Sequence, residues 1–140
     1  MRVLQDYQGW APYRSDFQLG PYRLLVAISC DVGDPSLRSD ALFDTGAEWC
    51  VLPAEMMEPL GFEAVADPTT RLETRLGVFS GSLQRAPIRF PAAEGDSLTV
   101  DATWFVSPDW PGPLVLGWKG CLERFRFALD PHAERFYFGS

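Results

Sequence analysis

The chain has 140 residues, 46 % of them hydrophobic, 22 % charged and 14 % aromatic, a balance that fits one folded domain and excludes a disordered one. Its formal net charge of −7 is offset by no basic stripe, which argues against a nucleic-acid partner and leaves solubility as the ordinary meaning of the acidity. Three cysteines without a Cys-x-x-Cys pair and a single histidine, His132, exclude a zinc site, so no metal is expected and the thiols read as small buried hydrophobes.

Residues 1–20 are rich in aromatics, with Tyr7, Trp10, Tyr13 and Phe17 in no clear period. They are assigned to an N-terminal arm that packs on the body or on a partner, and residues 21–140 to the domain proper. Met1 to Asp6 lacks the apolar stretch of a signal peptide. The longest apolar run, Leu24 to Ile28, is too short to cross a bilayer. No membrane partner is expected, and the odd cysteine count fits a reducing cytoplasm.

Tyr22 to Cys30 reads as a strand with Leu24, Val26, Ile28 and Cys30 on one face. Asp31 to Ser39, containing Gly33, Asp34 and Pro35, reads as a turn. Asp40 to Phe43 is a second strand, delivering Asp44 to a turn at Thr45-Gly46, and Glu48 to Leu52 resumes extended structure. Pro53 suits the first position of a short helix to Leu60, with Gly61 as its stop and Met56, Met57 and Leu60 facing inward.

Thr69 to Leu76 and Ser82 to Phe90 read as the arms of a long hairpin, with Gly77-Val78-Phe79-Ser80-Gly81 as its tip. Pro87 belongs at an edge or a bulge. Leu98 to Val106 is the cleanest strand: Leu98, Val100, Ala102, Trp104 and Val106 alternate with Thr99, Asp101, Thr103 and Phe105. A proline-rich loop, Ser107 to Pro113, leads to Leu114-Val115-Leu116, an apolar run that suits a strand buried on both faces and ends at Gly117. Trp118 to Arg124 suits one or two helical turns. Phe125 to Leu129 and Arg135 to Phe138 close the chain around a turn at Asp130-Pro131-His132. No internal repeat is present.

Asp44-Thr45-Gly46-Ala47 is the stretch with chemical content. Peptide hydrolysis by carboxylates needs two of them sharing one proton: the ionised member takes a proton from water while the protonated member polarises the scissile carbonyl. Closely spaced carboxylates cannot both ionise readily, so their titrations separate, as in the aspartic proteases themselves. A strand end aims Asp44 at a cleft, Thr45 offers a hydroxyl to lock the loop, and Gly46 offers an unobstructed N–H. The motif occurs once, so a second chain must supply the other half. Alone, the tripeptide is a moderate signal, and an Asx-type turn between strands is its plain structural reading. The apolar flanks Leu42-Phe43 and Val51-Leu52, the glycine-bounded hairpin and the closing Val115-Leu116-Gly117 add to it.

Together these features resemble the retropepsin family, the retroviral-type aspartic proteases and their cellular and bacterial relatives, from about Leu19 to Phe138. The resemblance implies an all-β, acid-protease (retropepsin-like) closed barrel with a flap hairpin and one or two short helices. It implies a homodimeric endopeptidase acting on a peptide or protein substrate, with water as nucleophile and no cofactor. Asp44, Thr45 and Gly46 would be catalytic, Thr45 joining interlocked bonds between two paired turns. Ala47, Glu48, Gly77, Val78, Phe79, Ser80 and Gly81 would meet substrate. Two positions depart from the family pattern. Glu48 stands where Asp or Ser is common, and Trp118 stands where an Arg often pairs with that acid; Lys119 and Arg124 are the candidates to replace it. These departures motivate an alternative, a non-catalytic peptide-binding or dimerisation module with the same fold.

Other residues have blander readings. His132 suits an exposed turn. Trp104, Phe105, Trp110 and Trp118 suit core or interface. Phe79, an aromatic at a hairpin tip, is divided evenly between packing and contact with substrate or a second flap.

Overall fold

The computed structural model describes residues 6–63 and 70–140. The strands are β1 (Gly9–Pro12), β2 (Phe17–Leu19), β3 (Tyr22–Leu24), β4 (Ala27–Val32), β5 (Leu37–Phe43), β6 (Cys50–Leu52), β7 (Thr70–Thr74), β8 (Gly77–Phe90), β9 (Glu94–Gly95), β10 (Leu98–Val106), β11 (Val115–Leu116), β12 (Arg126–Asp130) and β13 (Arg135–Gly139). Among the described residues the helical content is two 3-10 turns, Ala54–Met56 and Leu122–Arg124. The chain is all-β. No described helix is long and apolar enough to cross a membrane.

A seven-stranded sheet runs in the order β10-β6-β11-β5-β4-β8-β7. Strand β8 also pairs antiparallel with β10, from Ser82 opposite Val106 to Phe90 opposite Leu98. The pairings from β10 through β6, β11, β5, β4 and β8 therefore return to β10. The register runs through Pro87, opposite Asp101, without a bulge. A second sheet has the order β12-β13-β1-β9. Strand β1 pairs antiparallel with β13 from Gly9 opposite Phe138 to Pro12 opposite Arg135.

Two boundaries differ from the sequence reading. The strand expected over Tyr22 to Cys30 is broken into β3 and β4, leaving Leu25 63 % exposed between them. The expected turn Asp31 to Ser39 shrinks because β4 and β5 stay paired out to Val32 opposite Leu37. The expected helix Pro53 to Leu60 is one 3-10 turn followed by hydrogen-bonded turns. Its apolar residues still face inward: Met57 is buried, and Met56 and Leu60 pack on the core.

Strand β10 shows how pattern becomes packing. Leu98, Val100, Ala102, Trp104 and Val106 are buried in the main core with Ile28, Phe90, Leu116, Phe136 and Phe138. Burying a Leu- or Phe-sized side chain contributes about 1.5–3 kcal/mol, so this face carries much of the fold. The alternation ends at Phe105, which is also fully buried because its face meets a second cluster of Val51, Leu72, Trp110 and Val115. That smaller cluster ties the β7–β8 hairpin to strands β6 and β11.

Cys30, Cys50 and Cys121 are buried and unpaired. Burial pushes the Cys30 thiol up. A hydrogen bond with Cys50, together with burial, does the same to Cys121, so both stay protonated at neutral pH. The buried Asp31 is held by Arg38 and, at 3.2 Å, by Arg89. The Arg38 hydrogen bond foremost keeps its carboxyl below the usual range.

Candidate active site

Strand β5 ends between two neighbours. Leu42 N–H donates to the Leu114 carbonyl at 2.9 Å and Phe43 N–H to the Val26 carbonyl at 2.9 Å. The next residue, Asp44, donates its N–H to the Leu116 carbonyl at 3.0 Å. The chain then turns. Ala47 N–H donates to the Asp44 carbonyl at 3.1 Å, and Gly46 N–H donates to Asp44 Oδ1 at 2.9 Å. The apolar pair Leu42-Phe43 anchors the strand, and the glycine leaves an N–H free to fix the carboxylate. Asp44 is half-buried, while Thr45 and Gly46 are exposed.

The far side of the turn is fastened to the segment after β11. Trp118 N–H donates to the Ala47 carbonyl and Lys119 N–H to the Glu48 carbonyl, both at 2.8 Å. Lys119 Nζ lies 3.1 Å from Glu48 Oε1 and 5.4 Å from the centre of the Trp49 ring. Lys119, not Arg124, is thus the partner of Glu48. Trp118, where an arginine was sought, is 44 % exposed. Behind the turn, Cys50 Sγ accepts the Gly117 N–H at 3.3 Å.

Asp44, Gly46, Ala47 and Glu48 line a cavity of about 1340 Å³. Its apolar walls include Val26, Trp49, Val51, Trp110 and Val115, and the hairpin contributes Arg71 to Leu76. The lining thus combines apolar side walls, the carboxylates of Asp44, Glu48 and Glu73, and the hairpin. Among the described residues, no three His, Cys, Asp or Glu side chains are placed to hold a metal ion.

The hairpin tip lies elsewhere than expected. Gly77 to Gly81 are not a loop; they open β8 and pair with β7, from Gly77 opposite Thr74 to Gly81 opposite Thr70. The turn is Arg75-Leu76, closed by Thr74, whose Oγ1 accepts the Leu76 N–H at 3.1 Å and donates to the Gly77 carbonyl at 3.0 Å. The two glycines that resemble loop boundaries do different work. Gly77 leaves the turn with φ of +125°, open to glycine at no cost. Gly81 marks a close approach to β10, since a Cβ there would lie 2.3 Å from the Val106 carbonyl oxygen. Gly77, Val78, Phe79, Ser80 and Gly81 are not among the residues that line the cavity. Phe79 packs edge-on against Trp110, ring centres 5.2 Å apart.

No family model matches the sequence, and no curated protein matches it. Among solved structures, a retropepsin-like aspartic protease from Rickettsia conorii aligns with a TM-score of 0.53 at 20 % identity, over 92 % of this chain and 98 % of that one. The chain has the retropepsin-like fold. EIAV protease complexed with the inhibitor HBY-793 aligns less well, with a TM-score of 0.48 and 17 % identity over 72 % of this chain and 88 % of that one.

Within this retropepsin-like fold, Asp44, Gly46, Ala47 and Glu48 line the cavity, while Thr45, exposed on the same turn, does not. Sequence reasoning missed Trp49, Trp110 and the hairpin residues Arg71 to Leu76 as cavity residues. A Thr followed by two residues and then Gly, here Thr74 to Gly77, was the available signal for a tight turn. Nothing local marked Trp110, which reaches the site through the loop after β10.

Proposed function

We propose that this protein is an aspartic endopeptidase whose catalytic pair is Asp44 from each of two identical chains. Asp44, half-buried on a Gly46-braced turn at the wall of a peptide-sized trough, is the observation that carries this reading. One carboxylate cannot both take a proton from water and donate one to a carbonyl, so two turns meet across a two-fold axis. The ionised Asp44 takes a proton from water, the oxygen of which adds to the scissile carbonyl carbon. The protonated Asp44 gives its proton to the carbonyl oxygen. The C–N bond then breaks as the amine nitrogen takes the proton held by the pair, while a hydroxyl of the tetrahedral diol gives its proton to the other carboxylate, so the pair is again singly protonated. No covalent intermediate and no cofactor is needed. Three buried free thiols support a reducing, cytoplasmic setting.

Asp44→Asn tests the reading. The variant keeps the shape of the turn and should lose cleavage of a mixed peptide pool while retaining the wild-type melting curve. The exposed Trp118, at the position where the family pattern has an arginine, favours the second reading, a peptide-binding or dimerisation module. A wild-type chain that binds the pool and leaves it uncut supports that module instead.

A further inference from the structure

Two guanidinium groups reach the trough without a carboxylate of their own. Arg71, in β7, and Arg75, in the hairpin turn, are exposed and line the same cavity as Asp44. They stand with Glu73 on alternate positions, opposite the buried Leu72 that pins the hairpin to the second cluster. Among the described residues, no acidic oxygen lies within 4.0 Å of either group. Of the other described arginines, Arg14, Arg38, Arg85 and Arg89 each hold an aspartate, while Arg124, Arg126 and Arg135 form no ion pair but do not line the cavity. Arg23, also at the trough, is held by Asp16 at 2.8 Å. Glu48 is likewise engaged by Lys119. The unengaged charges at the cavity are therefore Asp44, Glu73, Arg71 and Arg75, and the cavity-lining stretch Arg71 to Leu76 carries two positive charges against one negative.

Resting on the protease reading, we propose that Arg71 and Arg75 select substrates with Asp or Glu beside the cleaved bond. A net charge of −7 repels acidic peptides at long range, so two local guanidinium groups at the trough have a specific use. Each presents a planar fork of donors that matches a carboxylate, which a lysine would not. Glu73 lies between them and rejects a second carboxylate at its own position, which sets where along the peptide the acid sits. The preference belongs to the hairpin and weakens with salt, because both groups are exposed.

The experiment uses the Asp44→Asn full-length chain, so that binding is read without cleavage. Fluorescence anisotropy compares two labelled pools of short peptides with apolar centres, one carrying Glu and the other Gln at the same flanking positions. The Glu pool should bind about fivefold more tightly at low ionic strength, the size of a well-placed exposed ion pair. Arg71→Gln with Arg75→Gln should bring the ratio of Glu-pool to Gln-pool affinity to about one. Equal binding of the two pools, no binding of either, or a Glu preference that survives both substitutions overturns the proposal. Cleavage of the Gln pool by the wild-type chain reports on the protease reading separately, since that pool lacks the selected acid.

Discussion

The N–H of Asp44 donates to the carbonyl of Leu116 at 3.0 Å, so the turn that holds the carboxylate hangs from the buried strand β11. One residue further on, Gly117 passes so close to β6 that a Cβ would lie 2.3 Å from the backbone carbonyl carbon and oxygen of Trp49. The position of Asp44 therefore depends on a glycine 73 residues away in sequence (117 − 44).

Gly117→Ala should push β11 away from β6 and carry the Asp44 turn with it. Backbone atoms cannot yield as a flexible side chain does, and the cost should be about 1–3 kcal/mol, as for overpacked cores. Urea unfolding checks the stability, and peptide cleavage should fall more steeply than the folded fraction. Unchanged values of both contradict this role for Gly117.

Phe79→Ala should loosen the hairpin without unfolding the body. The ring sits edge-on to Trp110 and belongs to the small cluster that fastens β7 and β8 to the trough. A half-buried aromatic of this kind contributes about 2 kcal/mol locally. Hydrogen exchange should rise at β7 and at Gly77 to Gly81, while β10 and β13 keep their protection.

Asp31→Asn should destabilise the fold in a pH-dependent way. The Asp31 carboxyl titrates below its ordinary value because Arg38 and Arg89 bond its charged form. Its contribution is therefore fully present above the unfolded value of about 4 and is lost as pH falls through the lower folded value. The two arginines are half-exposed and can turn to water, so the loss at pH 7 should be about 1–3 kcal/mol. The gap between the urea midpoints of wild type and variant should narrow progressively as pH falls below about 4; a constant gap contradicts the linkage.

The Glu48–Lys119 pair should matter little to stability. Both side chains are 54 % exposed, and such pairs contribute about 0.2–1 kcal/mol. A double-mutant cycle with Glu48→Gln and Lys119→Met should give a coupling in that range, shrinking with salt. The backbone bonds from Trp118 and Lys119 to Ala47 and Glu48 hold the turn without it.

The all-β class and the turn that carries Asp44 were legible because both rest on local signals. Alternation from Leu98 to Thr103 marks a strand with one buried face, and Asp44-Thr45-Gly46 marks a turn after an apolar strand. The hairpin was misread where a residue type had two physical meanings. Gly81 looks like a loop boundary in sequence, yet its role is to let β8 pass close to Val106 of β10. Phe105 broke the alternation for a similar reason, since a second cluster waits on the other face. The lysine partner of Glu48 was narrowed to two residues by charge alone; only the register of Trp49 beside Lys119 decided between them.

Mixing wild-type chains with Asp44→Asn chains tests the central claim most directly. If each site takes one Asp44 from each of two copies, mixed pairs are inactive. An equimolar mixture should then show about half the activity per wild-type chain, and a ninefold excess of variant about a tenth, by random pairing. Activity per wild-type chain that stays constant across all mixing ratios would mean that one copy works alone, and the shared-pair account would fall.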